Sequence, residues 1–304
     1  MKFIKKVPIP LAGVMLGFAA LGNLLQSYSE GIRSVCGIVA GVLLVLLILK
    51  LVCFPGMIRE DMKNPIMASV SGTVPMTIML LSTYVKPLIG PGAIAIWYFG
   101  IALHICLIIY FTLIFVKSFD LKKVFASWYI VYVGIVVGSI TAPAFEKTGI
   151  GAGLFWFGLI ALIVLLIAVT MRYSKIPVPE PARPLICIYA APTSLCIAGY
   201  VQSVTPKNRS FLIALWVIAT VLYVFALVKA IGYLKLKFYP SYASFTFPFV
   251  ISAIASKQTM ACCAKMEQPL PFLAPIVLIE TIIATVFVVY TLIRFLMFLT
   301  ASEG

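Results

Sequence analysis

Tyr239-Pro240-Ser241-Tyr242-Ala243-Ser244-Phe245-Thr246-Phe247-Pro248-Phe249-Val250-Ile251-Ser252-Ala253-Ile254-Ala255-Ser256 is apolar enough to lie in a bilayer, yet it is broken by proline and studded with small hydroxyls. Proline has no N–H to donate. Within a helix, Pro248 would free the carbonyl of Ser244, four residues back, and push Phe247 away from ideal helical dihedrals. A carbonyl freed at membrane depth is tolerated only against other protein or a wet cavity. The stretch therefore predicts a kinked inner helix with a large aromatic ring at the kink.

The rest of the chain has the composition such a helix requires. Of 304 residues, 63% are hydrophobic and 11% charged, and the mean hydropathy is +1.14. Soluble domains have roughly 45–50% apolar and about 25% charged residues. This is a polytopic α-helical membrane protein with no room for a sizeable soluble domain. A transmembrane β-barrel would alternate polar and apolar residues in short segments, and the unbroken apolar run over residues 38–49 does not. The basic N-terminus before its first apolar run resembles a signal peptide, but that run matches later segments, so it is read as the first of them. The net charge of +14 is assigned to inter-helix loops rather than to nucleic-acid binding. Seven cysteines include no C-x-x-C pair, and most lie in apolar runs where cysteine acts as a small hydrophobe. The neighbours Cys262 and Cys263 would form only a strained disulfide. No metal cluster, G-x-S-x-G or P-loop is present, so neither an enzyme nor a cofactor is expected.

A spanning helix needs roughly 20 apolar residues. That length picks out ten segments, about 9–27, 33–54, 65–85, 92–117, 127–144, 151–172, 184–203, 209–233, 240–261 and 272–299. Even segments are long and aliphatic. Odd segments carry Gly, Pro, Ser and Thr, and they begin near Pro10, Pro65, Ser127, Pro184 and Pro240, a near-regular period. Segments three, seven and nine share a second proline, Pro75, Pro192 and Pro248. The periodicity predicts five helical hairpins, about 9–54, 65–117, 127–172, 184–233 and 240–299, within one transmembrane domain, 1–304. Helices apolar all round suit lipid contact, and helices rich in small and polar residues suit close packing. Odd helices inside and even helices outside would make two concentric rings around a central pore. With ten spans and a cytoplasmic N-terminus, only Arg33, Lys86, Lys147, Lys207, Arg209, Lys257 and Lys265 of the 23 basic residues fall outside. That bias follows the positive-inside rule and predicts that both termini are cytoplasmic; the expected location is the plasma (inner) membrane.

The opening Pro8-Ile9-Pro10-Leu11-Ala12-Gly13-Val14-Met15-Leu16-Gly17-Phe18-Ala19-Ala20-Leu21-Gly22, the five-hairpin plan and Ser244-Phe245-Thr246-Phe247-Pro248 together resemble the tellurite-resistance/dicarboxylate transporter family. That family includes bacterial TehA, plant guard-cell slow anion channels and fungal malate permeases. The resemblance implies a homotrimer with a pore through each protomer, small anions as the transported species, and one aromatic ring plugging the conduit. The ring maps onto Phe247, immediately before the kink residue Pro248. The long regulatory tails of the plant channels have no counterpart here, and segment five lacks a mid-helix proline.

Candidate site residues follow. Phe247 would act as a hydrophobic gate, with Phe245 and Phe249 expected to point elsewhere because a helix turns about 100° per residue. The pore lining is expected from Gly17, Gly72, Pro75, Gly138, Pro192, Ser194, Ser244, Ile251 and Ser252, whose hydroxyls and backbone dipoles solvate an anion weakly. Small residues also serve plain helix packing. Lys257 would raise anion concentration at the outer vestibule, or snorkel as an interfacial lysine. Glu280 and His104 are ionisable within apolar segments, but both lie on even helices. The expected function is a gated channel for chloride- or nitrate-like anions. The alternative is a proton-coupled carrier of C4-dicarboxylates such as malate, or of tellurite-related oxyanions, for which Glu280 and His104 are the available proton acceptors.

Overall fold

The computed structural model describes residues 2–301. The expected unit 1–304 and its two termini include Met1 and residues 302–304, which lie outside the described residues. Every regular element described is helical. In chain order these are α1 (Lys2–Lys6), α2 (Leu11–Leu25), α3 (Glu30–Cys53), α4 (Pro55–Asp61), α5 (Pro65–Val70), α6 (Thr73–Ile89), α7 (Ala93–Phe111, running on as a π-helical turn, Thr112–Val116), α8 (Trp128–Tyr132), α9 (Val136–Thr141), α10 (Thr148–Lys175), α11 (Ala191–Ser203), α12 (Arg209–Tyr233), α13 (Phe247–Lys265) and α14 (Leu273–Thr300). Two 3-10 stretches, Glu180–Ala190 and Pro240–Phe245, lead into α11 and α13.

Local chemistry sets the helix starts. Ser29 accepts from the N–H of Ile32 to cap α3, Asn64 from Ile66 and Met67 to cap α5, and Asn208 from Phe211 to cap α12. Each satisfies donors that a first turn leaves unpaired. Among the described residues, seven helical runs are long and apolar enough to cross a membrane, one of them the 52-residue run Pro65–Val116. That run is not one rod. Gly90, at φ +64°, ends α6, and α7 packs back along it. Two expected segments fall short of a full continuous span. Segment one is the 15-residue α2, and segment five is split into α8 and α9.

Burial alternates along the chain. Of α2's 15 residues, only Asn23 and Leu25 are not buried. In Glu180–Ser203, 89% of the most apolar window is buried, against 22% in Glu30–Cys53. Val35, Ile38, Val42 and Val45 on α3 are exposed, as are Ile160, Ile163 and Ile167 on α10 and Val217, Val221 and Val228 on α12. Aliphatic faces of that extent are compatible with lipid and not with water. The buried helices contact one another in sequence: α2 packs on α6, α6 on α9, α9 on α11, α11 on α13, and α13 back on α2. Buried hydroxyls and carbonyls stitch the same neighbours. Tyr84 Oη donates to the Ala19 carbonyl at 2.6 Å, Ser69 to Ser127 Oγ at 2.7 Å, Ser203 to the Ser139 carbonyl at 2.6 Å, and Ser194 and Ser252 meet at 3.2 Å.

Candidate functional site

Segments three, five, seven and nine are broken helices, and their breaks converge with the start of α2 on one cavity. α2 starts after Pro10. α6 starts after Ser71-Gly72, with Pro75 as its third residue. α11 has Pro192 as its second residue, and α13 has Pro248 as its second. The mechanism differs from the one the sequence suggests. Pro248 does not interrupt a continuous helix. The break falls two residues earlier, at Thr246 (φ −97°, ψ −94°), and Phe247 opens α13. Proline in a first turn forfeits a donor that would be unpaired anyway. Segment five breaks without a mid-segment proline. The N–H groups of Val133 and Gly134 both reach the carbonyl of Tyr129, at 2.8 and 3.1 Å, and α9 restarts at Val136. A Cβ on Gly134 would clash with the Ile130 carbonyl oxygen of its own segment and lie 2.7 Å from Met76 Sδ, so the backbone at the break requires glycine.

Thr246 holds the break in segment nine. Its Oγ1 lies 2.8 Å from the carbonyl oxygen of Gly13 on α2 and 2.7 Å from that of Ala243. One hydroxyl thus engages two carbonyls at the discontinuity.

Two cavities flank this point. The first, about 190 Å³, lies toward Pro240 and is lined by Pro10, Gly13, Val70, Thr73, Tyr129, Ala191, Pro192, Ser244 and Pro248 among others, with no charged side chain. The second, about 270 Å³, lies toward Lys257 and is lined by Ala20, Asn23, Leu24, Leu80, Val137, Ile140, Ile251, Ile254, Lys257, Gln258 and Ala261. Phe247, 6% exposed, is the one residue on both walls.

The other expected residues divide. Pro192, Ser244, Ile251 and Lys257 lie on cavity walls. Gly17, Gly72, Pro75, Gly138, Ser194 and Ser252 do not. The glycines among them are contact points between helices. A Cβ on Gly17 would stand 2.6 Å from Thr246 Cβ, one on Gly72 3.0 Å from Leu107 Cδ2, and one on Gly138 2.6 Å from Leu154 Cδ1. Ser252 donates to the Ala190 carbonyl at 3.1 Å, bridging to α11 across that segment's break. Phe245 and Phe249 are fully buried and lie on neither wall. Phe245 stacks on Tyr242 and Phe287, and Phe249 on Tyr223 and Phe287.

Lys257 Nζ donates to the Leu24 carbonyl at 3.0 Å and to Ser27 Oγ at 2.5 Å, tying α13 to the C-terminal end of α2. A cation there also complements the helix dipole. His104, though on α7, is completely buried, and its Nε2 lies 2.9 Å from the Val131 carbonyl in the broken fifth segment. Glu280 is 4% exposed and faces α13 near Ser256, whose Oγ accepts from Trp216 Nε1 at 3.1 Å. Neither His104 nor Glu280 touches a cavity. The seven cysteines are free thiols. Among the described residues, no three His, Cys, Asp or Glu side chains cluster as metal ligands do.

Sequence reasoning missed Thr246, Tyr129, Asn23 and Gln258. Asn23 had a readable signal, a lone amide in an apolar run. Tyr129 had none.

The sequence profile of the SLAC1 family, described as voltage-dependent anion channels, matches residues 6–296 of the chain. No curated protein matches it.

Proposed function

The chain belongs to the SLAC1 family of voltage-dependent anion channels, within the tellurite-resistance/dicarboxylate transporters, and on that premise we propose a gated channel that passes chloride- or nitrate-like anions between its two cavities and is closed by Phe247. The observation that carries this reading is that Phe247 alone lines both cavities. A phenyl ring across a narrow apolar conduit blocks it sterically and disfavours water.

The reading includes the architecture. Ten passes form five hairpins, with α2, α6, α9, α11 and α13 as an inner ring and the aliphatic helices outside. It is supported by the closed circuit of contacts among the buried helices and by the exposed aliphatic faces of the others. The cavity toward Pro240 is then cytoplasmic and that toward Lys257 external. The protein sits in the plasma (inner) membrane with both termini inside, and it assembles as a homotrimer with one pore per protomer.

A proton-coupled carrier of C4-dicarboxylates or tellurite-related oxyanions is the weaker reading. It needs a titratable group on the path, and among the described residues Lys257 is the only charged side chain on either wall.

Planar-bilayer recordings of the purified protein test this, wild type beside Phe247→Ala in chloride and nitrate. A nearly silent wild type and a conducting, anion-selective variant are expected. Two silent proteins that nonetheless accumulate labelled malate under a proton gradient would overturn the channel.

A further inference from the structure

The cavity toward Lys257 has three polar side chains on its wall, and their chemistry is one-sided. Asn23 sits near the C-terminal end of α2, and Arg33 on α3 reaches it, with Nε 3.3 Å from Asn23 Oδ1. Arginine has donors and no acceptor, so the atom facing it must be the amide oxygen. The orientation of Asn23 is therefore not free. With its oxygen held by Arg33, its two N–H donors are left to the cavity that Asn23 lines.

Arg33 is itself fixed on every side. Its guanidinium lies 4.3 Å from the centre of the Tyr84 ring, Nη2 is 3.5 Å from the Thr83 carbonyl, and Nη1 is 3.7 Å from Glu30. Tyr84 is in turn bonded to the Ala19 carbonyl of α2. Lys257 contributes the positive charge. Two of its three N–H donors go to Leu24 and Ser27, which place the ammonium and leave one donor over. Gln258 supplies the third group. Its Oε1 is buried without a hydrogen-bond partner, so turning the amide to present Nε2 there breaks no bond to that oxygen. The remaining wall is Ala, Leu, Val, Ile and Phe247, and among the described residues no carboxylate lines it.

We propose that Asn23, Lys257 and Gln258 form an anion subsite on the outer side of Phe247, and that Arg33 is a positioning residue which acts by locking the Asn23 amide with its donors toward the anion. This rests on reading the two cavities as one anion path. The subsite takes a small monovalent anion such as a halide or nitrate. One charge and a few neutral donors hold an ion weakly enough to release it, as conduction requires, and about 270 Å³ leaves space for part of the hydration shell.

The test reads binding directly, so it does not need an open gate. Bromide soaked into crystals of the full chain is expected to give an anomalous peak beside Asn23, Lys257 and Gln258. In detergent, chloride NMR line broadening is expected to be displaced by nitrate and to report affinity. Asn23→Leu should weaken chloride about tenfold, the scale of one hydrogen bond to a charged partner. Asn23→Asp, which turns a carboxylate oxygen to the cavity, should abolish binding. Arg33→Met should weaken binding as Asn23→Leu does, and the double variant should be no weaker than either single one.

No bromide peak in this cavity at saturating salt would overturn the subsite. Equal loss from Arg33→Met in the wild-type and Asn23→Leu backgrounds would overturn the positioning role, because Arg33 would then act through its charge alone. If the site binds while Phe247→Ala stays silent, the channel reading fails and the subsite stands. If Phe247→Ala conducts and no site binds, the reverse holds.

Discussion

Gly17 lies so close beneath Thr246 that a β-carbon there would stand 2.6 Å from Thr246 Cβ and 2.9 Å from its Oγ1. The residue before Phe247 is thus seated on a glycine from the opposite end of the chain. Thr246 is itself bound to the Gly13 carbonyl one turn earlier on α2, so it has little freedom to step aside. Gly17→Ala should destabilise the protein by about 1–3 kcal/mol, the usual cost of forcing volume into a packed site, and Gly17→Val by more. Thermal unfolding in detergent measures this. Unchanged stability would mean that α2 does not hold the break in place.

Thr246→Val keeps the shape and removes the hydroxyl. The Gly13 and Ala243 carbonyls then lose a donor in a fully buried position, at an expected cost of about 1–3 kcal/mol. Thr246→Ser should recover most of it. If valine and serine behave alike, the hydroxyl is not what stabilises the discontinuity.

Phe247 and Phe249 are two residues apart and should respond in opposite ways. Phe249 is enclosed by Tyr223 and Phe287, so Phe249→Ala should cost about 3–5 kcal/mol as a core truncation and open no conductance. Phe247 borders empty volume on both sides. Its truncation should raise anion current with a smaller loss of stability. Paired bilayer recordings and unfolding curves separate the two; equal behaviour would remove the special role of Phe247.

His104 satisfies backbone in the broken fifth segment. Its Nε2 donates to the Val131 carbonyl near the break at Gly134, and it lines neither cavity. His104→Leu should destabilise by about 1–3 kcal/mol through the unpaired carbonyl. It should leave the pH dependence of transport between about pH 5 and 8 as in the wild type. A variant that folds well but loses that pH dependence would restore the coupled-carrier reading.

The helical membrane class, the interruption of segments three, seven and nine and the aromatic ring at the ninth break were legible in the residues. Segments three, seven and nine announced themselves by Pro75, Pro192 and Pro248. Segment five did not, because its break carries no mid-segment proline and shows only in the folded backbone, where a Cβ on Gly134 would clash with the Ile130 carbonyl. The lining was read less well. Gly72 and Gly138 are small because another helix presses on them, and a sequence does not distinguish a glycine that admits a neighbour from one that admits an ion. Asn23 and Arg33 are ten residues apart on different helices, so the bond that orients the amide is invisible until α2 and α3 pack.

By itself, the sequence determined that this chain is a bundle of apolar helices with interrupted inner members, because hydropathy over about twenty residues and the missing N–H of proline are local properties. Which side chain at the ninth break faces open space was decided by tertiary structure alone. Helix rotation there is set by Thr246 on Gly13 and by Phe245 and Phe249 against Phe287. With those two rings drawn into the packing against α14, Phe247 is the one left between the cavities.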